Sequence, residues 1–170
     1  MNFIGANILS VDQFNLDDVN TLFSVAEKMQ PYANREKVTK VLDGAILGNI
    51  FLESSTRTRV SFGSAFNLLG GHVRETSDVS SSAFVKGESV RDAARILSGY
   101  SDVICIRHPK SGSVNEFADF SRVPVINGGD GSNEHPTQAL LDALTIIKRK
   151  KISLEKLIKK SLLQNNMQKL

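Results

Sequence analysis

The residues of this chain that can do chemistry gather in three short stretches. In Phe51-Leu-Glu-Ser-Ser-Thr-Arg-Thr-Arg-Val-Ser-Phe62 an apolar, strand-like run stops and an amphipathic helix begins. Ser54, Ser55, Thr56 and Thr58 offer hydroxyls there, and Arg57 and Arg59 offer guanidinium forks. A helix starting at that point also aims free backbone N–H groups and its positive dipole end at the same spot. These are the donors an oxyanion needs, so the stretch predicts a phosphate cradle. Arg107 follows the apolar run Val103-Ile-Cys-Ile106, and His135-Pro-Thr-Gln138 opens a later helix with Pro136 suited to its first position. Ser55, Thr56, Arg57, Thr58, Arg107, His135 and Gln138 contain no acid pair. They suit a reaction at a carbonyl attached to phosphate, where the phosphate is held by hydrogen bonds and the carbonyl is polarised as charge builds on its oxygen. Each piece alone has a blander reading: a capped helix start, a surface arginine, a histidine at a helix cap. Their joint placement past strand ends is what favours a site.

Other chemistries lack their residues. Paired carboxylates for glycoside hydrolysis are not evident, and three histidines (His72, His108, His135) with one cysteine give no metal spacing. Neither Gly-x-x-x-x-Gly-Lys-Ser/Thr nor Gly-x-Gly-x-x-Gly occurs, which argues against a nucleotide site.

The elements that must position these residues are legible as alternating strands and helices. Ser10 and Asn15 each precede, by three residues, a Gln or an acid, as at capped helix starts, and Leu16, Val19, Leu22, Phe23 and Ala26 form a stripe ending near Lys28 or Met29. Ala45–Leu52 predicts a buried strand. A helix over 56–69 follows, with Phe62, Ala65, Phe66 and Leu69 inward and Gly70-Gly71 as its left-handed stop. His72–Thr76 predicts a second strand, and Ser77–Glu88 a Ser-rich loop too long for a plain connection. Val90, Ala93, Ala94 and Leu97 mark a helix closing near Gly99, then Val103–Ile106 a buried strand and Ser113–Phe120 a short helix. Val123–Ile126 predicts a short strand, Asn127–Asn133 a turn-rich loop, and Leu140, Ala143, Leu144 and Ile147 the inner face of the last helix. The pattern predicts an α/β fold: a three-layer domain with a mostly parallel central sheet flanked by helices. Ligands of such sheets gather at the carboxyl ends of the strands, where Arg57, Arg107 and His135 would converge.

A chain of 170 residues with 41% hydrophobic and 23% charged content can build one globular core. The lone Cys105 sits in an apolar run, so it reads as core and a reduced setting is expected. No run approaches the roughly 20 apolar residues that span a bilayer, and no signal-like segment opens the chain, so a cytoplasmic protein without membrane contact is expected. The net charge of +3 hides an asymmetry: Lys148–Leu170 carries +7, which leaves residues 1–147 at −4. Nucleic acid is not an expected partner, because the body offers no continuous basic surface.

Four motifs in order carry a resemblance. Phe51–Phe62, Lys86-Gly-Glu88, Ile106-Arg-His-Pro109 and Gly129-Asp-Gly-Ser-Asn-Glu-His-Pro-Thr-Gln-Ala-Leu-Leu-Asp142 resemble the aspartate/ornithine carbamoyltransferase family across about residues 8–147, and the last two look like its aspartate branch. The resemblance implies that Ser55, Thr56, Arg57 and Thr58 bind the phosphate of carbamoyl phosphate and that Arg107 contacts phosphate and carbonyl oxygen. It implies that Thr58, Arg107 and His135 polarise the carbonyl while Gln138 holds the amino group. Ser82 and Lys86 would reach in from a neighbouring subunit, which implies a homotrimer with shared sites. The reaction would transfer the carbamoyl group to L-aspartate on the way to pyrimidines, with no cofactor and no metal.

The resemblance stops near residue 149. Family members run to roughly 300 residues, with a second domain for the amino acid, whereas 150–170 is a basic tail without match, in which Leu154, Leu157, Ile158, Ser161 and Leu162 share one helical face. The expectation is a carbamoyl-phosphate domain over 1–149 whose coding sequence is truncated or frameshifted near 150, able to bind carbamoyl phosphate but catalytically incomplete. Competing readings are the ornithine branch, a non-catalytic carbamoyl-phosphate-binding or assembly module, and nucleic-acid or acidic-membrane binding through the tail.

Overall fold

A computed structural model describes residues 1–76 and 87–159. Four strands, β1 (Ile46–Phe51), β2 (His72–Thr76), β3 (Val103–His108) and β4 (Val125–Asp130), form one sheet in the order β2-β1-β3-β4. Every pairing is parallel. Five helices connect and flank them: α1 (Leu16–Ala33), α2 (Thr56–Leu68), α3 (Val90–Ser98), α4 (Ser113–Phe120) and α5 (Pro136–Lys150). The expected α/β architecture with a parallel sheet is therefore present.

The alternation of side chains along a strand divides the core into two layers. Ile50, Leu52, Ile104, Ile106 and Val125 face α3 and α4, where Ala94, Val114 and Phe117 complete one cluster. Leu47, Phe51 and Cys105 face the other way, against Phe62 and Phe66 of α2 and Ile126 of β4. Cys105 is fully buried and free, and burial pushes its thiol pKa well up, so it behaves as a core residue. The chain turns one way from β1 to β2 and the other way from β3 to β4. The sheet thus has its topological switch between β1 and β3, where the carboxyl ends of a parallel sheet leave a crevice. Before α1, a 3-10 turn over Val11–Gln13 is closed by a capping box on Ser10, and α1 has a second one on Asn15. Residues 7–9 cover the edge of β4: the Ile8 N–H donates to the Val125 carbonyl at 2.8 Å and the Asn127 amide donates to the Leu9 carbonyl at 2.9 Å.

Three boundaries differ from expectation. α1 runs through Pro31 to Ala33, and of its stripe Val19, Leu22 and Phe23 are half-buried while Leu16 and Ala26 are exposed. β3 continues through Arg107 and His108. The expected loop over 127–133 is instead strand as far as Asp130: β4 starts at Val125 and keeps pairing with β3 through Asn127 and Asp130, with glycine where the approach is tightest. A Cβ on Gly128 would stand 3.1 Å from Cys105 Sγ and 3.3 Å from the Ile106 carbonyl oxygen. The Gly70 stop is as expected, with φ of +93°. Beyond α5, residues 154–159 form a turn of helix whose Leu154 is buried. No helix among the described residues is long and apolar enough to cross a membrane.

Candidate functional site

The crevice at the switch point is lined by Ser55, Thr56, Arg57, Thr58, Arg107, His135 and Gln138, and encloses about 970 Å³. All seven same-chain residues expected from the sequence thus share one cleft. Phe51 pairs with Arg107 across β1 and β3, so the start of α2 and the end of β3 leave the sheet side by side. Ser54, Ser61, Phe62, Ala65, Thr137 and Leu141 complete the wall, and Ala65, expected to face inward, is exposed at the cleft instead. Ser82 and Lys86 lie outside the described residues.

Two helix N-termini open on the cleft without the usual side-chain caps. Ser55 precedes α2 and His135 precedes α5, and neither makes a cap hydrogen bond, whereas Ser10, Asn15 and Ser89 do at starts elsewhere. No acidic residue occupies the first turn of α2 or α5. The first N–H groups of α2 and the Ser55 hydroxyl therefore stay available to an anion, aligned with the helix dipole. Arg57 is exposed at the cleft, and among the described residues no acidic side chain lies within ion-pair distance of it.

Arg107 is half-buried and held from two sides. Its Nε donates to Glu53 Oε2 at 3.0 Å and its Nη1 donates to the Gly128 carbonyl at 3.2 Å. Gly129, with φ of +126°, lies so close that a Cβ there would stand 2.9 Å from the guanidinium carbon. The two glycines form a flat floor on which the guanidinium rests. Sequence reasoning gives neither these glycines nor Glu53 a role in the site, although a Gly-Gly pair after an apolar run and an acid at a strand end are signals that could have been followed.

His135 is held below the ordinary imidazole pKa, first by burial and then by the Arg107 charge, with Asp142 opposing. It is neutral near pH 7, and its Nδ1 lies 3.4 Å from Thr137 Oγ1. When that hydroxyl donates to Nδ1, Nε2 carries the proton and can donate to a carbonyl oxygen. Gln138 Nε2 donates to Asp142 Oδ1 at 3.0 Å, which leaves its own carbonyl oxygen to accept from a ligand N–H. The cleft therefore combines donors for an oxyanion, a neutral donor for a carbonyl and an acceptor for an amine. Arg59, the second guanidinium offered for the cradle stretch, does not line the cleft: its Nε stands 3.9 Å from Glu75 Oε2.

Comparisons with known proteins identify the family. Residues 6–148 match the family described as aspartate/ornithine carbamoyltransferase, carbamoyl-P binding domain. The aspartate carbamoyltransferase catalytic subunit of Cellvibrio japonicus is 70% identical over 148 residues, which are 87% of this chain and 44% of that protein. The catalytic subunit of M. jannaschii aspartate transcarbamoylase superposes with a TM-score of 0.80 at 42% identity, covering 86% of this chain and 48% of that one. The Trypanosoma cruzi enzyme, solved in complex with carbamoyl phosphate and aspartate, gives 0.78 at 40% identity over 85% of this chain and 47% of its own. The chain thus spans about half the length of the relatives it matches. With the family match over 6–148, the 70% identity and the TM-score of 0.80 together, this chain belongs to the aspartate/ornithine carbamoyltransferase family, through its carbamoyl-phosphate binding domain.

Proposed function

We propose that the chain is the carbamoyl-phosphate half of an aspartate carbamoyltransferase catalytic subunit. The observation that carries this is the convergence of the uncapped start of α2, Arg107 and the uncapped start of α5 on one cleft. The Ser55–Thr58 turn and Arg57 would hold the phosphate, and Arg107 would bridge phosphate and carbonyl oxygen. Thr58 and neutral His135 would donate to that oxygen as the aspartate amine attacks the carbonyl carbon, and Gln138 would accept from the carbamoyl NH2. Phosphate then leaves with the bonding pair of the broken C–O bond and takes up the proton the attacking amine sheds, stabilised by the same donors that held it. The aspartate branch is favoured over the ornithine one by the 70% and 69% identity to catalytic subunits that transfer to aspartate by name.

The resemblance assigns the aspartate carboxylates to a second domain, so on this reading residues 6–148 bind carbamoyl phosphate and turnover takes both domains. Residues 1–149 would be the binding domain, and 150–170 a tail outside it. Ser82 and Lys86 would complete the site from a neighbouring subunit of a homotrimer. Titration calorimetry of the 170-residue chain with carbamoyl phosphate tests the reading: saturable heat that Arg107→Gln weakens at least tenfold is expected, and a folded chain giving none at millimolar ligand would overturn it.

A further inference from the structure

The first turn of α2 must be aimed at the ligand, yet it carries nothing apolar to fix it. Thr56, Arg57, Thr58 and Arg59 are all polar, Ser55 makes no cap bond, and the aromatic anchors Phe62 and Phe66 lie one and two turns further on. What ties this turn to the sheet is a polar cluster on the side away from the cleft. Asn49, in the middle of β1, is fully buried and faces α2. Its Nδ2 donates to the Arg59 carbonyl at 3.0 Å and to Glu75 Oε1 on β2 at 3.3 Å. The other carboxylate oxygen of Glu75 stands 3.9 Å from Arg59 Nε. Two acceptors facing one nitrogen fix the orientation of the Asn49 amide. Gly63 leaves room for the cluster, since even a Cβ there would lie 3.5 Å from Glu75 Oε1 and 3.7 Å from Asn49 Nδ2.

We propose that Asn49, Arg59 and Glu75 are positioning residues: together they set the depth and tilt of the α2 start, and so the aim of the Thr56–Thr58 N–H groups and of Arg57 at a bound phosphate. The inference rests on the phosphate reading of the cleft. Asn49 carries most of it, because its buried Nδ2 makes both hydrogen bonds of the cluster while its Oδ1 and Arg59 Nε have no hydrogen-bond partner, and the ion pair at 3.9 Å is weak. The second arginine of Ser-Thr-Arg-Thr-Arg thus acts through the helix it belongs to and not on the ligand.

The test is a titration of the full chain with inorganic phosphate, followed by amide NMR, on the wild type, Asn49→Leu, Arg59→Gln and Glu75→Gln. Asn49→Leu is expected to weaken phosphate binding five- to twentyfold and to shift the ligand-free amide signals of Thr56–Arg59, with a thermal midpoint close to wild type because leucine fills the buried space. The two surface variants should each weaken binding two- to fourfold. Affinities within 1.5-fold of wild type together with unmoved Thr56–Arg59 signals would overturn the proposal. Should Asn49→Leu fail to fold, the two surface variants decide by the same limits. A wild-type chain that takes no phosphate, while those ligand-free signals still respond to the substitutions, would overturn the phosphate reading and support the tether.

Discussion

Replacing Gly129 by alanine should disable Arg107 by displacing its guanidinium. The residue has φ of +126°, a region L side chains rarely adopt, and its new methyl would stand 2.9 Å from Arg107 Cζ and 3.3 Å from Arg107 Cγ. The guanidinium must lift off its glycine floor and give up its bond to the Gly128 carbonyl at 3.2 Å. Backbone strain of this kind costs about 1–3 kcal/mol, so the melting temperature should fall by roughly 2–4 °C for each kcal/mol in a chain of this size. A charge-assisted hydrogen bond to a ligand contributes about 1.5–3 kcal/mol, and loss of the Arg107 contact therefore predicts roughly 10- to 100-fold weaker binding. Calorimetric titration with carbamoyl phosphate measures the second effect, and Gly5→Ala separates it from the first. Gly5 has φ of +70° with nothing within 4 Å of a Cβ, so its substitution brings strain without a collision. If Gly129→Ala binds within twofold of wild type, the floor does not position Arg107.

Glu53→Gln should strengthen anion binding about threefold at low salt, because it removes a negative charge 3.0 Å from Arg107 Nε, a separation at which even screened charges interact measurably; weaker binding in a phosphate titration would show that the carboxylate aims the arginine more than it opposes the anion. His135 should titrate below the usual value of about 6.5 in a proton NMR titration. Its depressed pKa means that the unfolded chain binds the proton more readily, so its contribution to stability is present above about pH 6.5 and is lost as pH falls through the folded value. His135→Ala should flatten that part of the stability profile, and an unchanged slope would contradict the assignment. Gly63→Ala should stabilise the chain by about 0.5–1 kcal/mol in denaturant melts, since the helix interior prefers alanine and the nearest atom, Glu75 Oε1, is 3.5 Å away; a loss would mean that the space around Glu75 and Asn49 cannot give.

The parts of the site legible in sequence are those whose chemistry is local. Ser55–Thr58 advertise themselves because a helix start with hydroxyls, arginines and no acid is unusual, and His135-Pro136 because proline suits a first helical position. The parallel sheet follows from buried apolar runs separated by helical periods, and β1, β2, α2, α3 and α4 fall where those patterns place them. What escapes is set by register. Asn127-Gly-Gly-Asp130 has the composition of a turn, yet it pairs with β3 as a strand because glycine permits the close approach to Cys105 and Ile106. Glu53 sits inside the most conspicuous motif, but its partner becomes visible only once Phe51 is seen opposite Arg107. Asn49 is one polar residue in an apolar run, and nothing nearby in sequence says that Arg59 and Glu75 will meet it.

Carbamoyl phosphate labelled with 13C at its carbonyl puts the central claim to the most direct test, since the claim is that this cleft both holds the phosphate and polarises the carbonyl. Bound to the 170-residue chain, the carbonyl resonance should move downfield, the movement should shrink in His135→Ala with binding largely kept, and binding itself should fall at least tenfold in Arg57→Gln. A bound signal at its free position, or one that ignores both substitutions, would contradict the account.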